Sequence, residues 1–206
     1  AGAAGRGAKR RGGRLVSAML STMMHTPLGV ITLQRFGARH FGSSRVGDYD
    51  GERIHWRSYE EIDSASARLA NALTTLGLSE GDRVGTFMWN STQHLEAYLA
   101  VPSMGGVLHT LNCRLSAAHV AYIINHAGDR FLIIDGRLLD SFLPILPLIP
   151  NVECLIVTET GHDMAASLND PRMVSYEDIV AEAEAGFSWP EPAENSAAGI
   201  CYTSGT

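Results

Sequence analysis

The sequence predicts an α/β fold, a mainly parallel sheet with crossover helices. Three observations carry this. Between Asp82 and Asp135, apolar strand-type runs alternate with helix-type segments, in units of about 25 residues, and parallel neighbours need crossovers of that kind. A strong helix start at Ser58 precedes the alternation. At the far end, the small-residue strand from Ala197 to Tyr202 runs straight into Thr203-Ser204-Gly205-Thr206. Strand ends that open into Ser, Thr and Gly are where α/β proteins place their chemistry.

The elements follow in order. From Val46 to Trp56 the chain reads as a hairpin, with Asp50-Gly51 as its turn dipeptide. Ser58-Tyr59-Glu60-Glu61 is a capping box, Ser58 accepting from the backbone while Glu61 reaches back. Behind it Ile62, Ala65, Leu69, Ala72, Leu73 and Leu76 recur at helical spacing, and Gly77 supplies the stop. Glu60, Glu61 and Asp63 sit where a helix dipole favours acids, which is a scaffold role.

Asp82 to Trp89 reads as a strand, and Asn90-Ser91 begins a helix that fades between Pro102 and Gly106. Val107 to Thr110 is a short strand, Ser116 caps a helix carrying Val120, Ile123 and Ile124, and Gly128 ends it. Arg130 to Ile134 is a buried strand closed by the turn Asp135-Gly136. Beyond Leu138 the pattern loosens. Val152 to Thr158 is another strand, Ser175 to Ala185 a short acidic helix, and Phe187 to Ser196 a proline-rich connector without core content.

Composition bounds the class. The chain has 206 residues, 45% hydrophobic and 18% charged, which excludes disordered, collagen-like and coiled-coil proteins. Eight basic residues, from Arg6 to Arg45, precede the first acid, Asp48, yet the net charge is -6. An acidic body argues against nucleic-acid binding, because phosphate neutralisation needs a cationic face. Residues 1–18 open on Gly, Ala and Arg with nothing to bury, so a disordered basic extension is expected there.

Cys113, Cys154 and Cys201 are three, widely spaced and fit no disulfide framework or zinc knuckle. The most apolar stretch, Phe142 to Pro150, is nine residues broken by three prolines, whereas a membrane span needs about 20. The expectation is a cytoplasmic protein without a membrane span. A mitochondrial matrix location is the alternative if the acid-free start is a transit segment.

The candidate site residues are Thr203, Ser204, Gly205 and Thr206. They offer three hydroxyls, successive backbone N–H groups and one residue free to take positive φ; by chemistry alone this is either a plain polar turn after a strand or an anion-binding turn suited to phosphates. The GxxxxGK[ST] spacing of a Walker loop is missing. None of the eight histidines forms an HExxH pair, and all read as structural; His109, at a strand end, reads as packing or hydrogen-bonding. Cys201 reads as an inert residue of a buried strand.

The block Ala197 to Thr206, AAGICYTSGT, resembles the opening half of the phosphate-loop signature of the adenylate-forming superfamily. Met88 to Ser91, His94 to Tyr98 and Val101 to Asn112 are similar to its fatty-acyl-CoA synthetase branch of medium- and long-chain type. Ser58 to Ile62 matches the first core segment, and Trp189 to Asn195 resembles the connector before the loop. Cys113 departs from the pattern, which has proline there, and residues 1–18 have no family counterpart.

The resemblance implies that residues 19–206 are an incomplete N-terminal AMP-binding domain, cut within the phosphate loop, of an ATP-dependent fatty acid–CoA ligase. It implies ATP, Mg2+ and coenzyme A, a small-molecule carboxylic acid as substrate, and phosphate contacts from Thr203, Ser204, Gly205 and Thr206. The loop lysine, the glutamate on Mg2+ and a C-terminal domain would follow residue 206. The 206 residues alone are therefore expected to hold no catalytic residue and to be inactive. An aryl-CoA ligase, a peptide adenylation module and a truncated non-enzymatic interaction protein remain as alternatives, and a homo-oligomer is left open.

Overall fold

A computed structural model describes residues 26–158 and 162–203. The elements are α1 (Val30–Phe41), β1 (Arg45–Tyr49), β2 (Ile54–Ser58), α2 (Tyr59–Thr75), β3 (Arg83–Phe87), α3 (Thr92–Ser103), β4 (Val107–Thr110) and α4 (Ala117–Ala127). They continue as β5 (Phe131–Ile134), α5 (Leu139–Phe142), β6 (Cys154–Val157), α6 (His162–Leu168), β7 (Met173–Ser175), α7 (Tyr176–Glu182) and β8 (Gly199–Cys201). β1 and β2 form the expected antiparallel hairpin, with Gly47 opposite Trp56. The other six strands make one sheet in the order β7-β6-β5-β3-β4-β8, every pair parallel. The chain thus steps from β3 to β4, crosses back to β5 on the other side of β3, and returns to place β8 beside β4.

Alternation along the strands divides the core in two, as period-2 side chains require. Leu132, Ile134, Leu155 and Val157 pack on Val120, Ala121 and Ile124 of α4 and on α5. Phe131, Ile133, Cys154 and Ile156 face Leu69 and Leu73 of α2, Ala97, Ala100 and Val101 of α3, and Tyr176 of α7. Both sheet faces are covered, and this is why the strands read as apolar runs.

The Ser58 capping box is present in both directions: the Glu61 N–H donates to Ser58 Oγ at 3.2 Å, and the Ser58 N–H donates to Glu61 Oε2 at 2.7 Å. α2 ends where Gly77 takes φ +93. Ser58→Ala is expected to lower the unfolding free energy by about 1 kcal/mol, read as a shift of the urea midpoint at unchanged slope.

Several expectations change. The helix α1 is an addition to the expected elements; it buries only Ile31 and Gln34, and its Leu33, Phe36 and Phe41 side chains are exposed. It is held by polar contacts instead: Gln34 Nε2 donates to Asp63 Oδ1 at 2.8 Å, and Ser103 Oγ to Gln34 Oε1 at 3.3 Å. α6 and the three-residue β7 are too short for a periodic pattern. The prolines of Phe142 to Pro150 leave a 3-10 run over Leu143–Leu148 with Ile145 and Ile149 buried. α7 stops at Glu182 rather than Ala185.

The connector carries core content after all. The Phe187 and Trp189 rings meet edge-on at 4.8 Å and pack against the α2–α3 side of the core. Asn71 Nδ2 on α2 donates to the carbonyls of Glu184 and Gly186, pinning the segment that leads into them. Ser116 stands at the N-cap of α4, but its hydroxyl bonds His119 Nδ1 rather than capping the helix. Cys201 is exposed rather than buried, because β8 is an edge strand with only β4 beside it among the described residues. Among those residues no helix is long and apolar enough to cross a membrane.

Candidate functional site

The carboxyl ends of β4 and β8 lie side by side, with Leu108, His109 and Thr110 opposite Gly199, Ile200 and Cys201. Beyond them opens a cleft of about 610 Å³. Leu111, Leu115, Tyr122 and Ile123 supply its apolar wall; Thr110, Asn112, Tyr202 and Thr203 supply polar groups. Thr203 is exposed and lines this cleft. Ser204, Gly205 and Thr206 lie outside the described residues. A crevice beyond the carboxyl ends of parallel strands is the position at which open α/β sheets bind ligands.

Behind the cleft lies a buried polar cluster that sequence reading did not assemble. His109 is wholly buried in β4, and its Nδ1 sits 2.9 and 2.8 Å from the two oxygens of Asp129, which follows α4. Burial raises the Asp129 pKa, and the hydrogen bond to His109 opposes that rise. The His109 ring lies 5.2 Å from the Tyr202 ring, and the Tyr202 hydroxyl bonds His126 Nδ1 on α4. His126 in turn stacks on Tyr122 at 5.6 Å. Gly85 of β3 stands opposite His109. Its place inside a strand was the one available signal, because a glycine there marks a close approach. His109 has the hydrogen-bonding role the sequence suggested; Asp129 and Tyr202 carried no such signal.

A second polar group closes the ends of β3 and β5. Asp135, buried, accepts from the N–H groups of Trp89 at 3.4 Å and Arg137 at 3.0 Å, and pairs with the Arg137 guanidinium at 2.7 Å. The Gly136 N–H donates to Thr158 Oγ1 at 2.9 Å. Asp135-Gly136 is a strand-ending turn, as expected, and also a clamp whose carboxylate is fully used within the fold. His94 is held between Trp89 O at 3.1 Å and Thr86 Oγ1 at 3.0 Å, and burial lowers its pKa.

Burial pushes the Cys113 and Cys154 thiols up to about 11, which leaves neither as a thiolate nucleophile near neutrality. Among the described residues no group of three or more His, Cys, Asp or Glu is placed to hold a metal ion.

The model of the AMP-binding enzyme family matches residues 36–206. The chain belongs to that family. A medium-chain-fatty-acid–CoA ligase of Ectopseudomonas oleovorans is 36% identical over 193 residues, covering 91% of this chain and 34% of that protein. A 3-methylmercaptopropionyl-CoA ligase of Ruegeria pomeroyi is 37% identical over 189 residues, with coverage of 91% and 35%. A long-chain-fatty-acid–CoA ligase of Thermus thermophilus is 37% identical over 197 residues, with coverage of 94% and 34%. The chain spans about a third of the length of these curated relatives. Among solved structures, the anthranilate CoA ligase AuaEII superposes with a TM-score of 0.76 at 16% identity, covering 88% of this chain and 33% of that one. At that identity the likeness shows the fold alone, an α/β domain built on a parallel sheet.

Proposed function

We propose that the complete protein is an ATP-dependent fatty acid–CoA ligase and that residues 19–206 form the first part of its AMP-binding domain. The observation that carries this is the course of β8, which delivers Thr203 into the cleft at the carboxyl end of a parallel sheet. In the reaction a carboxylate oxygen bonds the α-phosphorus of ATP while the bond to the β-phosphate oxygen breaks, releasing pyrophosphate. The sulfur of coenzyme A then attacks the acyl carbon and displaces AMP. Phosphoryl-type chemistry rests on positioning and charge stabilisation. The hydroxyls of Thr203, Ser204 and Thr206 and the loop N–H groups suit the phosphates in that role, with Gly205 admitting close approach.

Relatives of nearly equal identity act, by name, on medium-chain, long-chain and 3-methylmercaptopropionic acids. The assay therefore takes the complete protein with a panel from short thioether acids through long-chain fatty acids to benzoates. ATP–pyrophosphate exchange followed by thioester formation with an aliphatic acid is the expected result. Exchange with aryl or amino acids only would replace the fatty-acid reading. The 206-residue chain alone is expected to give no sustained exchange. A cytoplasmic location goes with the same reading, tested by fractionating cells that express the complete protein.

A further inference from the structure

We infer that His109 is a positioning residue for Thr203 at the nucleotide-binding cleft, oriented by Asp129 and acting through Tyr202. The inference rests on the ligase reading above. His109 occupies the middle of three neighbouring parallel strands, opposite Gly85 on β3 and Ile200 on β8. Its Nδ1 faces both oxygens of the Asp129 carboxylate, so Nδ1 carries the proton and donates it. The other ring nitrogen, Nε2, is buried and has no hydrogen-bond partner. Leaving a buried polar atom unsatisfied is unfavourable, and an aliphatic side chain would fill a strand interior without that penalty. Packing alone therefore gives no reason for histidine here.

What the histidine adds is a fixed ring plane beside β8. Asp129 sets that plane, and Asp129 is itself anchored. It follows Gly128, whose left-handed conformation ends α4, and the Arg83 guanidinium donates to the Ala127 and Gly128 carbonyls at 2.8 and 2.9 Å. The Tyr202 ring rests against His109, and its hydroxyl is tied to His126 on the same helix. Tyr202 is the last residue before Thr203. The direction in which the chain leaves the sheet at Thr203 is thus set by one ring held from two sides. Loops that bind phosphate through backbone N–H groups depend on such placement, because small misplacements at a reacting centre cost large factors in rate.

The test compares His109→Leu with His109→Asn in the complete protein. Asparagine keeps a donor near the position of Nδ1 and so keeps the bond to Asp129; leucine keeps bulk only. In ATP–pyrophosphate exchange, His109→Leu is expected to raise KM for ATP about tenfold with a smaller change in kcat, and His109→Asn to stay within about threefold of the parent. Melting temperatures read alongside separate placement from folding. An unchanged KM in His109→Leu, with exchange intact in the parent, overturns the inference and leaves the ligase reading standing. Equal losses of stability and activity in both variants make His109 a packing residue and also overturn it. If the parent exchanges with no acid, the ligase reading has failed, and backbone amide exchange in the complete protein decides. Faster amide exchange at Tyr202 and Thr203 in His109→Leu but not in His109→Asn supports positioning, and unchanged exchange overturns it.

Discussion

Gly85→Ala is expected to destabilise the chain by about 3 kcal/mol, the combined cost of overpacking and of disturbing a buried hydrogen bond. β3 is an interior strand, between β5 and β4, so nothing around Gly85 opens to solvent. A Cβ added there would stand 2.3 Å from Leu132 Cδ2 and 2.8 Å from Asp129 Oδ2. Both neighbours are buried, Leu132 wholly and Asp129 nearly so. Leu132 is packed into the core on the α4 side of the sheet, so a shift of its side chain disturbs that packing, and Asp129 is bonded to His109 through both carboxylate oxygens. Gly186→Ala is the matched control: no atom lies within 4 Å of its added Cβ, and a change of no more than about 0.5 kcal/mol is expected. Urea unfolding of both variants checks the contrast. Adding Leu132→Ala to Gly85→Ala would recover part of the loss, because the two sites share one contact.

The dependence on Gly85 shows what was legible in the sequence. The mainly parallel sheet and its crossover helices follow from periodicity, and the Ser58 box and the stops at Gly77 and Gly128 follow from local hydrogen bonding and backbone freedom. These features are decided within a few residues of one another. The cluster around His109 is not, since it unites β3, β4, the turn after α4 and the residue after β8 through tertiary approach alone. The same holds for α1, fastened by Gln34 and Asp63 rather than by an apolar stripe, and for the connector, where Phe187 and Trp189 find a core that the local composition conceals. The sequence offered Thr203 as a candidate phosphate contact by its chemistry and by family resemblance. The cleft that Thr203 lines, with its Tyr122 wall and a Tyr202–His126 tie at its edge, was not legible.

Arg57→Met is expected to lower stability at pH 8, toward the lower end of the ~3–5 kcal/mol seen when one partner of a buried ion pair is removed. Glu96 projects from α3 and is only 1% exposed. One carboxylate oxygen pairs with Arg57 of β2 and the other accepts from the Tyr176 hydroxyl of α7. The Arg57 side chain is 32% exposed, and this moderates the expected loss. Burial raises the Glu96 pKa, against the hydrogen bond from Tyr176 and the charge of Arg57; burial and then the Glu96 charge push the Tyr176 phenol well up. The sign of the pH dependence follows. A carboxyl whose folded pKa lies above its unfolded value, about 4.3 for Glu, favours the fold below that value and loses this contribution as pH rises through the folded pKa. Removing Arg57 raises the folded pKa further and widens that window. The deficit of Arg57→Met should therefore be largest at pH 8 and shrink on acidification toward pH 5. Glu153 and Asp170 have lowered pKa values and lose stabilisation as pH falls, but they are common to parent and variant and cancel in the difference. Glu61, held low first by its hydrogen bonds with Ser58, loses a smaller contribution from the Arg57 charge, which acts with the same sign. Urea titrations at both pH values read the effect, and a deficit independent of pH would show that Glu96 is not charged in the parent fold. In Glu96→Gln, which can still accept from Tyr176, the pH-dependent part should vanish while Arg57 turns to solvent. Because Tyr176 belongs to the α2–α3 side of the sheet and Asp129 follows α4 on the other, Arg57→Met should weaken the domain without moving the His109–Tyr202 contact, which separates stability from the geometry of the candidate site.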